Sequence, residues 1–263
     1  MQNYILVVES KQLESVLYCN QVPVLSIPCE YDGLTTNNLN GWLSAGDNQL
    51  TLVVNQIAQN KSSHVNEEYF VKGSLYRIDS QAVVAGKAEM IARYAWEYKK
   101  QTSLSSPQTL PFTDQIVFNI DVAASSWNDF STVRELNAKD KNNIIQLAKK
   151  YFRALLDNDK SKLKELLKIK AARLKKCCYR DHMVEVQQLQ ALPTLERNQI
   201  ACLEQLKTQH FRYFSALNGR SIVVSGDLLT AIQQNVQYNK KQITWAEWPL
   251  CFSKLDEDWV IVN

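Results

Sequence analysis

The hydrophobic period of this chain changes twice, and that change limits what it can fold into. Up to about Ala123 the apolar residues favour alternation. "FTDQIVFNIDV" (Phe112–Val122) puts Ile116, Phe118, Ile120 and Val122 on one face, as a half-buried strand requires. From Asn137 the spacing becomes helical: Ile144, Leu147, Ala148, Tyr151, Phe152 and Leu155 recur at threes and fours. After Gly219 the strand pattern returns. The stretch "AASSWNDFSTVRELN" (Ala123–Asn137) therefore holds a boundary.

The first segment reads as a run of short strands. "LESVLYCNQVPVLSIP" (Leu13–Pro28) is two apolar runs around Asn20 and Gln21, the form of a hairpin whose Asn tolerates positive φ. "YDGLTTNNLNGWLSAGDNQ" reads as irregular loop leading into a strand from Leu50. Further strands are expected at Glu67–Asp79, Ala88–Tyr98 and Phe112–Val122. Ala88–Tyr98 also fits a helix, because Ala88, Ile91, Ala92 and Ala95 share a helical face. Gln101–Pro111 reads as a polar loop. Short strands divided by turn residues point to an antiparallel β-sandwich over residues 1–123.

Residues 124–263 read as helices packed on a second antiparallel sheet, so the whole is α+β and mainly β. Asn137 with Asp140 resembles a capping arrangement. "NDKSKLKELLKIKAARLKK" (Asn158–Lys176) reads as one helix capped by Asp159. Leu163, Leu166, Leu167, Ala171 and Leu174 form its narrow apolar stripe, and its lysines fall mostly off it. "DHMVEVQQLQAL" and "TLERNQIACLEQLKTQHFRYFSALN" read as further helices separated by Pro193 and stopped by Gly219. "SIVVS", "LLTAIQQNV", "ITWAEWPLCFSKL" and "WVIVN" read as four strands, the last two joined across Asp256–Asp258. Trp245, Trp248, Phe252 and Trp259 read as the core of that sheet.

Charge divides the same way. Met1–Ala123 carries 8 basic and 12 acidic residues, and Ala124–Asn263 carries 22 and 15. Two units with different surfaces are expected. With 45% apolar and 22% charged residues, disorder is not expected beyond loops. "YILVV" (Tyr4–Val8) is too short for an export signal and no window reaches membrane-span length, so a cytoplasmic protein is expected. Six cysteines without regular spacing read as reduced thiols.

Chemistry is thin. There is no GxGxxG, P-loop, GxSxG or HExxH. Cys178, Asp181 and His182 make at most half a metal site. His64 lies in a polar loop and His210 beside phenylalanines. No cofactor, metal or catalytic residue is expected. The lysine-rich stretch lacks the arginines and interleaved aromatics of a nucleic-acid grip. It is read as a solvated helix face, with an acidic protein partner as the second reading.

Two stretches carry a resemblance. "NGWLSAGDNQLTLVV" (Asn40–Val54) and "WPLCFSKLDEDWVIV" (Trp248–Val262) resemble the "NxWL…GxNxLxV" stretch and "WPLxFxxxDGxWxIV" hairpin of two-domain bacterial immunity proteins. That family accompanies polymorphic toxins of the type VI secretion, Rhs-type effector kind. Gly41 before Trp42, and Glu257 where a turn glycine is usual, depart from the pattern. The resemblance implies a cytosolic, non-enzymatic protein that binds a cognate toxin and blocks its active site. Tyr31, Asp32, Trp127, Asp129 and Phe130 are the expected partner-binding residues, large or charged side chains in loops. Trp127 has a second reading, as cover for the junction. The alternative function is a small-ligand or enzymatic site in a cone-shaped second domain.

Overall fold

The computed structural model describes residues 2–57, 68–79, 88–99, 110–121, 127–157, 159–178, 207, 211–225 and 250–262. The expectations for His64, the loop 101–109, Asp181, His182, the helices 181–206, His210, "LLTAIQQNV", Trp245 and Trp248 lie outside the described residues. So do the side chains of Cys177, Cys178 and Cys202. Among the described residues the chain is mainly β, with four-stranded antiparallel sheets and three helices, and it divides into two compact units, Met1–Ser125 and Ser126–Asn263.

The first unit contains β1 (Gln2–Lys11), β2 (Leu13–Cys19), β3 (Val22–Ile27), β4 (Asp32–Asn38), β5 (Gly46–Ile57), β6 (Glu68–Asp79), β7 (Ala88–Lys99) and β8 (Phe112–Ile120). One sheet runs β4-β1-β6-β7 and the other β3-β2-β5-β8. Alternation decides the buried faces. Tyr4, Leu6 and Val8 of β1, Val71 and Leu75 of β6, and Tyr94 and Trp96 of β7 are buried in the first sheet. Leu13 and Leu17 of β2, Leu50, Leu52 and Val54 of β5, and Phe118 and Ile120 of β8 are buried in the second. The sheets touch at Trp96 and Phe112, whose ring centroids are 6.0 Å apart, and at Asn37, whose amide donates to the Val24 carbonyl.

Two readings change here, and one open alternative is decided for the strand. The apolar run Tyr4–Val8, weighed only as an export signal, is the heart of β1. One residue, Gln12 at φ 52°, lies between β1 in one sheet and β2 in the other. Asp32–Asn38, read as loop, is strand β4 paired from Ile5↔Asn38 to Lys11↔Asp32. "DGLTTNN" has no apolar alternation to announce it; its neighbour's unpaired backbone groups recruit it. The doubtful stretch at Ala88 is strand β7, not helix, paired along β6.

Asparagines hold the corner of this unit. Asn20 and Gln21 form the two-residue turn between β2 and β3, with φ of 50° and 71°. The Asn20 amide donates to the Trp42 carbonyl and to Asn48 Oδ1, each at 2.8 Å, and its oxygen accepts the Gln49 N–H at 2.9 Å. Asn48 also accepts the Ser44 N–H at 2.9 Å and donates to the carbonyls of Ser44 and Gly46 at 2.7 and 2.9 Å. Asn40 accepts the Tyr4 N–H at 2.7 Å and donates to the Gln2 carbonyl at 3.2 Å. Asn40, Trp42, Leu43 and Asn48 are all buried. The "NGWL…GDN" stretch is thus scaffold, fastening the β2–β3 turn and the start of β1 to the approach to β5.

The second unit begins with a 3-10 turn, Trp127–Asp129, then α1 (Ala138–Leu156), α2 (Lys160–Leu166) and α3 (Lys168–Cys178). Strands β9 (Arg212–Ala216), β10 (Ser221–Ser225), β11 (Leu250–Leu255) and β12 (Asp258–Ile261) form one sheet in the order β12-β11-β10-β9. The helices pack on it through one core: Ile144, Tyr151, Phe152, Leu155, Leu163 and Leu167 meet Ile222, Val224, Phe252, Trp259 and Ile261. Asn137 and Asp140 form a reciprocal capping box, and Asp140 also accepts the Trp259 Nε1–H at 2.9 Å. One carboxylate thus starts α1 and fastens it to β12.

Two helix readings are corrected. Arg212–Ala216, read as the end of a helix, is β9. The chain reverses through Leu217, Asn218 and Gly219 at φ of 53°, 56° and 82°, so Gly219 closes a hairpin instead of a helix. The lysine-rich stretch is two helices. Leu167, at φ −96° and ψ 7°, caps α2. Hydrogen bonds from Leu167 N–H to the Leu163 carbonyl and from Ala171 N–H to the Leu167 carbonyl keep the stripe in phase across the break.

Two substitutions test this scaffold by urea denaturation. A Cβ on Gly73 would sit 2.0 Å from the ring of Tyr94, its cross-strand neighbour. Gly73→Ala is therefore expected to cost about 1–3 kcal/mol. Asn40→Ala strands the buried Tyr4 N–H and is expected to cost a similar ~1–3 kcal/mol. An unchanged midpoint for either would remove its assigned role.

Candidate functional site

The five sequence-selected residues divide between the units, Tyr31 and Asp32 in the first and Trp127, Asp129 and Phe130 in the second. Tyr31 precedes β4 and gives its carbonyl to the Gln12 N–H. Asp32 is exposed and opens β4 opposite Lys11. Trp127 and Phe130 lie elsewhere and are 2% and 5% exposed. Their rings are 5.7 Å apart, and both backbone carbonyls accept from Arg220 at 3.3 and 3.0 Å. Asp129 between them is exposed. Trp127 and Phe130 are internal anchors of the second unit.

Arg173 is the centre of that anchorage. Its guanidinium lies 4.4 Å from the centre of the Trp127 ring and donates to the Val262 carbonyl at 2.9 Å. Cation–π contact of this kind strengthens away from water. Arg173 and Lys170 are only 6% and 2% exposed, so the lysine-rich stretch is not wet on every charged position. The signal was present in the spacing: the apolar stripe 163–167–171–174 passes through 170 at helical phase.

These cations face a thiol that they do not activate. Cys251 is buried, and burial pushes its pKa up to about 12 although Arg173 and Lys170 pull it down. Burial likewise raises the Cys19 thiol. Neither has the thiolate character of a nucleophile. No group of three His, Cys, Asp or Glu able to hold a metal occurs among the described residues, and no described helix is long and apolar enough to cross a membrane.

The two outward sheet faces of the first unit differ. On β3-β2-β5-β8 the polar groups satisfy one another: Gln49 donates to Gln115 at 2.9 Å, Asn119 to Asp47 at 2.9 Å and Asn55 to Glu14 at 3.1 Å. That is a largely polar surface, broken by Val117, which is 64% exposed. On β4-β1-β6-β7 the register aligns Asn38, Ile5, Tyr76 and Met90 in one row, with Val7 and Ile78 in the rows beside it. Met90 is 52% exposed, and Ile5, Val7, Tyr76 and Ile78 are partly so. Toward the other end the rows become Leu34, Glu9, Lys72, Ala95 and then Asp32, Lys11, Phe70, Glu97. Lys72 is held between the Glu97 carboxylate at 2.8 Å and the Phe70 ring at 4.6 Å.

This face carries an apolar patch, crossed in the row of Val7 by Thr36, Ser74 and exposed Arg93, with a charged margin and built on paired strands. Its chemistry is that of contact, because apolar and aromatic side chains on a rigid support gain by excluding water. Sequence reading reached only its margin, through Asp32. The missed residues lie on strands whose opposite-facing neighbours are core. Their apolar character looked like burial until the register separated the faces.

Compared with family models, with curated proteins and with solved structures, the chain finds no match in any of the three.

Thiol chemistry gives a direct check on the second unit. At pH 8, alkylation followed by peptide mapping is expected to modify half-buried Cys29 in the folded protein and to reach Cys19 and Cys251 only on unfolding. The Cys251 pKa is raised on folding, so its contribution is full below the unfolded thiol value of about 8.5 and is lost as pH climbs. Unfolding midpoints are therefore expected to fall between pH 9 and pH 12, and less steeply in Cys251→Ala. Native labelling of Cys251 at the rate of Cys29 would refute this.

Proposed function

We propose that this protein is a non-enzymatic binding protein, an immunity protein that sequesters a cognate secreted toxin and blocks its active site. The observation that carries the reading is the outward face of β4-β1-β6-β7, where Ile5, Val7, Tyr76, Ile78 and Met90 form an apolar patch bordered by Glu9, Lys11, Asp32, Lys72 and Glu97. We take the two sheets of the first unit as a β-sandwich, with their buried faces together and this face outward. A cytoplasmic location goes with that function.

The size is suitable for part of an interface. Three strand spacings of about 4.8 Å and eight residue steps of about 3.4 Å, with overhanging side chains, give roughly 600 Å². A standard interface needs about 800 Å² from each partner, so adjoining loops, including Tyr31, would complete it. The toxin class comes from the resemblance of Asn40–Val54 and Trp248–Val262, which are scaffold stretches; the contact chemistry comes from the face. A ligand site inside the second unit has less support. Trp259 is packed into the core there, with its N–H already given to Asp140.

The test is co-expression with the product of the neighbouring gene, read by co-purification and by rescue of growth. The wild-type chain is expected to do both. Tyr76→Glu with Met90→Glu is expected to weaken capture at least tenfold, the loss of a central contact of about 2 kcal/mol, with the thermal midpoint unchanged. A wild-type chain that neither co-purifies nor rescues sinks the reading.

A further inference from the structure

The positive charge of this chain is concentrated in the segment of α1, α2 and α3. From Ala138 to Cys178 there are 13 Lys or Arg and 4 Asp or Glu, a net +9, whereas the whole chain is only +3. The remaining sequence is therefore net acidic.

The acids of this segment are largely committed locally. Asp140 closes the capping box of α1, and Asp159 caps α2 by accepting the Lys162 N–H at 2.9 Å. Glu165 takes the Lys162 ammonium at 2.7 Å. Of the cations, Lys170 and Arg173 face inward. Lys160, Lys164, Lys168 and Lys175 follow one another at spacings of four, four and seven residues. They share one side of α2 and α3, because the hydrogen bonding at Leu167 preserves the phase. Lys168 and Lys175 are exposed, and Lys160 and Lys164 are partly so. The stripe extends about 22 Å at 1.5 Å per residue. On α1, Lys139, Lys150 and Arg153 are exposed as well.

We infer that this lysine stripe is a docking surface for an acidic protein segment, one presenting carboxylates at about 6 Å intervals, as Glu or Asp at i and i+4 of a helix does. The inference rests on the reading of this chain as a partner-binding protein and adds the charge of the partner. Charge complementarity selects an anionic occupant, and three features select protein over nucleic acid. The starts of α1 and α2, where backbone N–H groups would receive a phosphate, are capped by Asn137 with Asp140 and by Asp159. Residues 160–178 contain no aromatic on which a base could stack. The stripe is all lysine, a set of point charges without the fork that grips phosphate in two places.

The test uses the whole chain alone, with a labelled 20-residue poly-L-glutamate peptide and a 20-nucleotide single-stranded DNA as probes. The peptide is expected to bind at 50 mM salt and to weaken at least tenfold by 200 mM, as screened charges require. Lys164→Glu, Lys168→Glu and Lys175→Glu together are expected to lose at least tenfold. Lys164→Gln, Lys168→Gln and Lys175→Gln should lose less while keeping the same circular dichroism and thermal midpoint. Tyr76→Glu with Met90→Glu should bind the peptide as wild type does. Absence of peptide binding at 50 mM salt, unchanged binding by the triple Glu variant, or tighter binding of the DNA than of the peptide would each overturn the inference. Because no toxin is present, these outcomes are separate from failure of co-purification, which would overturn the proposed function itself.

Discussion

The first unit depends on its buried amides. Strands β1, β2 and β5 belong to two sheets, and their ends must meet without leaving main-chain groups dry and unpaired. Asn20, Asn40 and Asn48 do this together. Each offers both a donor and an acceptor: Asn20 and Asn40 reach backbone far from them in sequence, and Asn48 ties its own loop to Asn20. An apolar residue of similar size would fill the space but leave carbonyls and N–H groups without partners, which is the costly outcome inside a protein. One corner of the unit, where strands of both sheets end, is therefore tied by hydrogen bonds, while dispersion and burial hold the rest.

The second unit solves a related problem with cations. Segments at Trp127, Arg173 and Val262 are distant in sequence, and one guanidinium collects them. Arg220 holds the carbonyls of the same turn. Buried arginine is expensive to desolvate, and the aromatic face and carbonyl oxygens offset that cost. Lysine could not take its place, having no planar group to lie against the indole while donating sideways. The basic segment thus has two separate uses of charge, one internal and one facing solvent.

Much of this was legible before the structure, and the failures have physical causes. Period two at Phe112–Ile120 and the helical spacing of α1 were reliable, because each element buries one face and its sequence records that face. The Asn137–Asp140 cap was legible because it is local. β4 was invisible, since a strand made by its neighbour's hydrogen bonds needs no alternation of its own. β9 was mistaken for helix because aromatics at 211, 213 and 214 fit either period over so short a run. The buried Lys170 and Arg173 were hidden by residue type: charge outweighed position in the reading, although helical phase placed both inside. The patch of Ile5, Tyr76 and Met90 required register, which comes from pairing between distant strands and cannot be read along one of them.

The contact of Arg173 with Val262 also bears on how the chain is made. A ribosome releases the first unit whole, with β1 to β8 available, well before residue 262 emerges. Over that interval α3 exists without β12, and Arg173 without one of its carbonyl partners. The basic helices therefore spend the last part of synthesis without their own closing strand. Slow translation of the final segment would lengthen that exposure and leave the first unit untouched.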